Sequence, residues 1–299
     1  MRSRLSATRG TLIALCMASS APAQEARRPP ITGIAYVRIY ARDPAASQRF
    51  YTQEVLLPEA QCPMRACARY QVGEDQYVEV VKANRQADGL QVIGFRTTDA
   101  EGLRRYLAAH HVKVPARVER QDDGPAAFAI TDAAGHRVAF IEAKATSDQR
   151  GAISHRLIHV GFIVKDRGSL DLLYKDILGF RPYWHGGMKP ERTDWVSLQV
   201  PDGTDWLEYM LNVPPDASHH LIGVMNHFSL GVEDMDATDV ALQKTGWKPH
   251  GEEHKQMGLD GKYQLNLFDP DEVRVEFMTF TPSQRPCCSD FTGPHPRPD

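Results

Sequence analysis

The stretch LIHVGFIVKDRGSLDLLYKDIL, residues 157–178, decides the fold. Its first part alternates: Ile158, Val160, Phe162 and Val164 fall on one face of an extended strand, His159 and Gly161 on the other. The alternation stops at Asp166, a residue type that accepts hydrogen bonds from the free amides of a helix's first turn, and an amphipathic helix follows. The stretch IAYVRIYARDPAASQRFYTQEV, residues 34–55, aligns with it without a gap, setting Tyr36 opposite His159 and Asp43 opposite Asp166. Pro44 then occupies a first helical position, where a missing amide leaves no bond unmade. The same frame returns in VIGFRTTDAEGLRRYLAAH (92–110) and HFSLGVEDMDATDVALQKTG (227–246), with Val92 opposite His227 and Asp99 opposite Asp234.

Each strand–helix pair is followed by further strand candidates: ARYQVG and QYVEVV, AFAI and RVAFIEA, WVSLQV and WLEYML, YQLNLF and VRVEFM. DAAGHR and DPDEVR read as hairpin turns. The repeating unit is strand–helix–strand–strand–strand, and four copies fit at 31–87, 88–147, 156–215 and 220–281. This predicts an α+β chain of four βαβββ modules, paired into two tandem cupped mixed sheets at 31–147 and 156–281. Helices would cover one face of each sheet and leave the other free to curve around a ligand. Residues 144–155 form the linker. Residues 24–30 and 282–299, rich in proline and polar side chains, are expected to be flexible tails.

The first residues do not belong to that globule. Arg2, Arg4 and Arg9 precede the apolar run 11–18, and Ala21-Pro22-Ala23 offers small residues at a cleavage site, the pattern of a secretory signal over residues 1–23. The expectation is export to the periplasm or beyond. Without those three arginines the chain holds 32 basic and 38 acidic residues, and this acidic balance with no basic run argues against a nucleic-acid partner. No later segment is long and apolar enough to span a membrane. Of the remaining cysteines, the short CPMRAC loop permits a Cys62–Cys67 bridge in an oxidising compartment, and no bridge at all is the open alternative. Cys287 and Cys288 are adjacent in the tail and are expected to pair with another thiol or stay free.

Four residues of the second half carry the candidate chemistry. His159 opposes the apolar face of its strand. So do Glu208, between Leu207 and Tyr209, His227, before Phe228, and Glu276, between Val275 and Phe277. One such residue alone is ordinarily a hydrogen-bonded or solvated group. Four at corresponding strand positions would meet in one cup, where uncompensated burial of two carboxylates is costly. Two imidazoles and two carboxylates are a donor set for one divalent ion (Fe, Mn, Ni, Co or Zn), with no thiolate to favour softer metals. Four protein ligands leave two octahedral positions for the vicinal oxygens of a small-molecule substrate. Gly161, Ser229 and Gly231 share the cup face and are read as leaving room for it. The first half offers Tyr36, Glu79, Val92 and Glu142 at the equivalent places, without a histidine, and is expected to be a metal-free structural cup.

Other residues are weaker candidates. Of Trp184, Trp195, Trp206 and Trp247, only Trp206 shares a face with Glu208, and packing is the plain alternative for all four. His185, His219 and His220 fall in predicted loops near the cup mouth, where exposure explains them equally well. Arg181 and Lys262 could hold an anionic substrate, set against ordinary solvated charge.

With the four positions in register, and the segments LGF (178–180) and DPDEVRVE (269–276), the chain resembles the vicinal oxygen chelate superfamily. That superfamily includes glyoxalase I, methylmalonyl-CoA epimerase, extradiol dioxygenases and bleomycin-resistance proteins. The resemblance spans about residues 31–281, and its intervals of 49, 19 and 49 residues between His159, Glu208, His227 and Glu276 are similar to those of short bacterial glyoxalase I. It implies a metal-dependent isomerase, epimerase or lyase in which Glu276 or Glu208 leaves the ion to act as general base. Glutathione is scarce outside the cytoplasm, so glyoxalase I itself is not the expectation. The alternative is an extradiol Fe(II) dioxygenase with His159, His227 and Glu276 as ligands. His254 and Tyr263 lie in the stretch of that enzyme's acid–base groups, but at poorly matching intervals. A third reading is a ligand-sequestering protein like the bleomycin-resistance members. Four modules in one chain supply the pairing that smaller relatives obtain by dimerising, so a monomer or a homodimer is implied.

Overall fold

The computed structural model describes residues 27–64, 66–83, 89–120, 124–142, 148–189, 191–249 and 254–298; the expected signal segment 1–23 lies outside them. The first half forms one eight-stranded sheet from β1 (Ile31–Ala41), β2 (Glu59–Ala60), β3 (Cys67–Gly73), β4 (Gln76–Lys82), β5 (Gly89–Thr97), β6 (Glu119–Arg120), β7 (Ala126–Thr131) and β8 (Arg137–Ile141). The second half repeats it with β9 (Arg156–Ile163), β10 (Arg181–Gly186), β11 (Trp195–Gln199), β12 (Trp206–Met210), β13 (His227–Val232), β14 (Gln256–Met257), β15 (Tyr263–Phe268) and β16 (Arg274–Thr279). The strand orders are the same, β2-β3-β4-β1-β5-β8-β7-β6 and β10-β11-β12-β9-β13-β16-β15-β14. In each sheet the first strands of two modules lie antiparallel at the centre (β1 with β5, β9 with β13) and each is flanked by a parallel last strand.

The predicted helix starts hold. Asp43, Asp99, Asp166 and Asp234 each cap a helix by accepting amide hydrogens of its first turn: α1 (Pro44–Arg49), α2 (Ala100–Ala109), α3 (Arg167–Asp171) and, after the short α4 (His219–Met225), α5 (Met235–Lys244). α1 and α3 run on into π-helical turns that bury Tyr51 and Tyr174. Among the described residues no helix is long and apolar enough to cross a membrane.

The two halves share one apolar core. Val37, Tyr70, Val78 and Phe95 of the first sheet belong to the same cluster as Val160, Tyr209, Phe228 and Phe277 of the second. Buried polar bonds fix the halves against each other. Tyr51 Oη donates to Asp269 and Tyr174 Oη to Asp132, each at 3.0 Å. Gln76 closes a two-way bridge with the backbone of Leu157, at 2.9 Å in both directions. Asp205, fully buried, accepts from the Ile34 amide at 2.9 Å and is paired with Arg156 at 2.9 Å.

Two features of the second sheet depart from simple alternation. The ladder between β13 and β9 shifts between Ser229 and Leu230, which pair with His159 and Leu157, so Ile158 is bulged. As a result Leu157 and Val160 face the shared core, whereas Ile158 joins a separate cluster with Trp184, Trp206, Met278 and Phe280 on the cup side. The second departure is the tail expected to be flexible, which lies packed along β10. Thr292 N donates to Tyr183 O at 3.0 Å, Gln199 Nε2 to Pro294 O at 2.7 Å, and Trp184 Nε1 to Cys287 O at 3.2 Å.

The Cys62–Cys67 bridge is present. Cys287 and Cys288, expected to look elsewhere or stay free, are bonded to each other. His185 is an exposed residue of β10, and His219 and His220 open α4 with His219 Nδ1 at 2.9 Å from Glu272, so none of the three lies in the expected loops. Arg181 is spent on the carbonyls of Val200 and Gly203.

Candidate metal centre

The pairing register brings the four predicted residues together. In β9 and β12, Trp206 stands opposite His159 and Glu208 opposite Gly161. In β13, His227 stands opposite Gly161 and Ser229 opposite His159, and Ser229 in turn faces Glu276 of β16. Four central strands therefore each supply one donor to the same concave surface.

The donors sit at metal-binding separations. His159 Nε2 is 3.0 Å from His227 Nε2 and 3.2 Å from a Glu276 carboxylate oxygen. Donors about 2.1 Å from one ion and at right angles to each other lie about 3.0 Å apart. His159, His227 and Glu276 form the compact group, all fully or almost fully buried. Glu208 stands slightly outside it. One of its oxygens is 3.5 Å from His227 Nε2 and 4.0 Å from His159 Nε2, and the other accepts from Ser197 Oγ at 3.3 Å.

Charge and hydrogen bonding favour a cation at this point. His227 Nδ1 lies 3.1 Å from the Met225 carbonyl, a contact in which the ring nitrogen donates and leaves Nε2 with a free lone pair toward His159. Among the described residues Glu276 Oε2 is buried without a hydrogen-bond partner, its neighbour being the His159 ring nitrogen at 3.2 Å, an arrangement that is costly unless an ion completes it. Burial holds both imidazoles well below their ordinary proton affinity, His227 and Arg274 adding repulsion at His159 and Arg274 at His227. Burial also pushes the Glu276 carboxyl up to about 7 against the pull of Arg274. Neutral imidazoles and carboxylate oxygens with no competing thiolate fit a divalent first-row ion or zinc.

Gly161 has a different purpose from the one its sequence implied. A Cβ there would lie 2.0 Å from His227 Cε1, so the absent side chain makes room for the imidazole and not for a ligand. Gly231 likewise clears the ring of Phe280. Trp206 stacks on His159 with ring centres 4.6 Å apart, Trp184 belongs to the same cup-side cluster, Trp195 packs beside it, and Trp247 lies in the shared core. His254 is exposed, and the Tyr263 ring lies beneath Lys255 and against the shared core, so neither joins the donors.

The first cup is built on another principle. Tyr36, Glu79 and Val92 hold the places of His159, Glu208 and His227, as expected. The place of Glu276 is taken by Ala139, which pairs with Gly94 as Glu276 pairs with Ser229. Glu142, assigned there from sequence, instead accepts from the Ala100 amide at the start of α2. Arg38 and Arg69 both pair with Glu79, at 2.7 and 2.8 Å, and Tyr36 stacks on Tyr77 at 5.3 Å. Two guanidinium groups thus supply the positive charge beside this carboxylate. Cys62 and Cys67 lie near Glu79 but are committed to their disulfide.

Lys262 is the site residue whose surroundings the sequence concealed. It is fully buried just before β15, with its ammonium 4.4 Å from the Trp206 ring centre. Burial lowers its proton affinity to about 8, with Asp260, Glu276 and Glu208 opposing.

Residues 156–277 match the model of the Glyoxalase/Bleomycin resistance protein/Dioxygenase superfamily. No curated protein matches the sequence. Among solved structures, homoprotocatechuate 2,3-dioxygenase from Arthrobacter globiformis superposes with a TM-score of 0.67 at 15% identity, over 90% of this chain and 86% of that one. The Brevibacterium fuscum homoprotocatechuate 2,3-dioxygenase in complex with 3,4-dihydroxyphenylacetate gives 0.64 at 18% identity, over 91% and 85%. The family match thus covers the second half, residues 156–277, and the fold shared with these dioxygenases extends over both halves.

Proposed function

We propose that the second cup binds one divalent ion through His159, His227 and Glu276, with Glu208 as a fourth, exchangeable ligand, and catalyses proton transfer on a small substrate with two adjacent oxygens. When bound, the ion supplies Lewis-acid polarisation of those oxygens. The observation that carries the reading is the split among the donors. Three have their donor atoms within 4.8 Å of one another, whereas Glu208 lies beside them with one oxygen on Ser197 and the other facing the imidazoles. A carboxylate so placed can hold the ion or turn to take a proton from the carbon next to a carbonyl. Trp206 and the buried floor of the cup exclude water from that step.

A second reading rests on the same compact trio. Two histidines and one carboxylate are the facial set of Fe(II) oxygenases, and extradiol ring cleavage would use His159, His227 and Glu276 with Glu208 unbound. The export expected from residues 1–23 remains part of the proposal.

Elemental analysis of the purified protein and of a His227→Ala variant tests the site: one ion per chain that the folded variant lacks is expected, and equal ion content in both would refute it. Oxygen uptake with catechols, measured beside solvent deuterium incorporation into α-hydroxy ketones, separates the two reactions. Deuterium exchange without oxygen uptake is the expected outcome.

A further inference from the structure

We infer that the Cys287–Cys288 bridge is a redox latch. Oxidised, it straps the tail across the second cup; reduced by a dithiol, it frees the tail and loosens the aromatic wall behind His159. The strap stands on the contacts of the tail itself, and its effect on ion binding rests on the metal-cup reading above.

The bridge sits at a sharp corner of the chain. Cys288 has a φ of +74°, in the left-handed region that residues with a side chain seldom adopt. Ser289 N donates to Cys287 O at 2.8 Å across it, the closure of a γ-turn of the rare, strained hand. The bond between the adjacent sulfurs ties the two residues of that corner together. Cys288 is exposed, within reach of an attacking thiolate.

At this corner the tail joins the two edges of the second sheet, whose outermost strands are β10 and β14. Cys287 N donates to Leu259 O at 2.8 Å, in the turn between β14 and β15, and Cys287 O accepts from Trp184 Nε1 of β10 at 3.2 Å. One residue thus holds both walls of the cup. Past the bridge the tail follows β10. Ser289 Oγ accepts from His185 N at 2.9 Å and donates to His185 O at 3.0 Å, and Thr292 N donates to Tyr183 O at 3.0 Å. These bonds need Ser289 where the turn at Cys288 delivers it.

Three residues past the bridge, Phe291 reaches the cup side. Its ring centre lies 4.8 Å from that of Tyr183, Tyr183 lies 5.2 Å from Trp206, and Trp206 lies 4.6 Å from His159. This ladder of rings connects the strap to a metal donor. His227 has its Nδ1 fixed by the Met225 carbonyl, whereas His159 Nδ1 is buried with no hydrogen-bond partner among the described residues. Stacking on Trp206 therefore sets the plane of the His159 ring, and a shift of the stack turns the donor.

In the unlatching step a thiolate of the dithiol attacks one sulfur of the bridge and breaks the S–S bond, and the second thiol then displaces the mixed disulfide. The bridge gains two electrons and two protons and becomes two thiols, while the dithiol becomes its own disulfide. A disulfide oxidant reverses the exchange.

Dithiothreitol is the probe, removed under nitrogen before measurement. Hydrogen exchange of amides 287–292 is read by mass spectrometry, and Mn(II) affinity by the paramagnetic resonance of the free ion. The Cys62→Ser/Cys67→Ser variant removes the other bridge. Oxidised, it is expected to show no free thiol. Reduction should expose two thiols, speed exchange of those amides by about tenfold or more, and weaken Mn(II) binding by about threefold or more. Cys287→Ser/Cys288→Ser should show the fast exchange and weaker binding from the start and ignore dithiothreitol. Free thiols at 287 and 288 in air-purified protein, or slow exchange after reduction, overturns the latch. Fast exchange with unchanged Mn(II) affinity overturns the coupling to His159. A wild type that binds no ion refutes the metal-cup reading, and hydrogen exchange then decides the latch alone. Should Cys62→Ser/Cys67→Ser fail to fold, wild type takes its place: dithiothreitol must quicken its tail and leave that of Cys287→Ser/Cys288→Ser unchanged, and an equal response in both refutes the latch.

Discussion

Tyr51 of the first half donates its phenol to Asp269 of the second at 3.0 Å, and the relationship is returned by Tyr174, which donates to Asp132 of the first half at the same distance. Each tyrosine ends the helix of a first module, and each aspartate closes the last hairpin of the opposite half. Asp269 also accepts from the amides of Asp271 and Val273, and Asp132 from those of Ala134 and His136, each at 2.9 Å. The halves are therefore latched by a reciprocal pair of buried bonds that also hold the turns feeding β8 and β16. Tyr51→Phe and Tyr174→Phe are each expected to cost about 1–3 kcal/mol, since each leaves a buried acceptor short of a donor. Urea unfolding at constant m-value checks this. Because the sites are well separated, the double variant should lose roughly the sum.

The module repeat, the four capping aspartates and the placing of His159, Glu208, His227 and Glu276 on one sheet face were legible in the chain because strand alternation and helix capping are local and periodic. The features that were not legible depend on pairing between distant strands. Nothing near Ile158 signals that its bulge will turn it to the cup. The place of Glu276 in the first half falls on Ala139 and not Glu142 because register, which sequence spacing only approximates, decides it. Lys262 could be read only as a candidate anion-binding or solvated charge, because its cage comes from Tyr183, Trp206 and Phe291, scattered over more than a hundred residues.

Protonation of Glu276 gives a stability signature in the metal-free protein. Burial raises its carboxyl to about 7, above the roughly 4.3 of an unfolded chain. A raised acid contributes stability that is whole below the unfolded value and is lost as pH rises through the folded one. Glu276→Gln carries no proton to lose. Wild type should therefore lose stability relative to that variant between pH 5 and 7.5, by on the order of 2–3 kcal/mol, with no further change to pH 8. Thermal melts of both chelator-treated proteins across this range measure it, and saturating divalent ion should remove the decline in wild type.

The two glutamates should separate in function. Glu276 is locked in the compact donor group, whereas Glu208 is partly exposed and shared with Ser197. Glu276→Gln is expected to weaken ion retention by at least tenfold, on the scale of losing one ligand charge. Glu208→Gln should keep the ion within a few-fold and lose 100-fold or more in turnover, as a general base does. Ion content by mass spectrometry and exchange rates on the same preparations give both numbers. Equal ion loss in the two variants would remove the distinction.

Gly161 offers the sharpest check, because it has no donor atom at all. It sits opposite both Glu208 and His227, and an added Cβ would lie 2.0, 2.4 and 2.9 Å from three atoms of the His227 ring. None of those contacts can persist, and the ring has little freedom, its Nδ1 being held by the Met225 carbonyl. Gly161→Ala must therefore push the imidazole away from its 3.0 Å approach to His159. Overpacking of this kind costs about 1–3 kcal/mol of stability. The loss of ion affinity should be at least tenfold, because a ligand displaced from its bonding position is in effect a ligand removed. Isothermal titration of the chelator-treated variant with Zn(II) or Mn(II), beside a Gly231→Ala control that crowds Phe280 instead, measures the effect; equal affinity in wild type and Gly161→Ala would mean that His227 does not bind the ion.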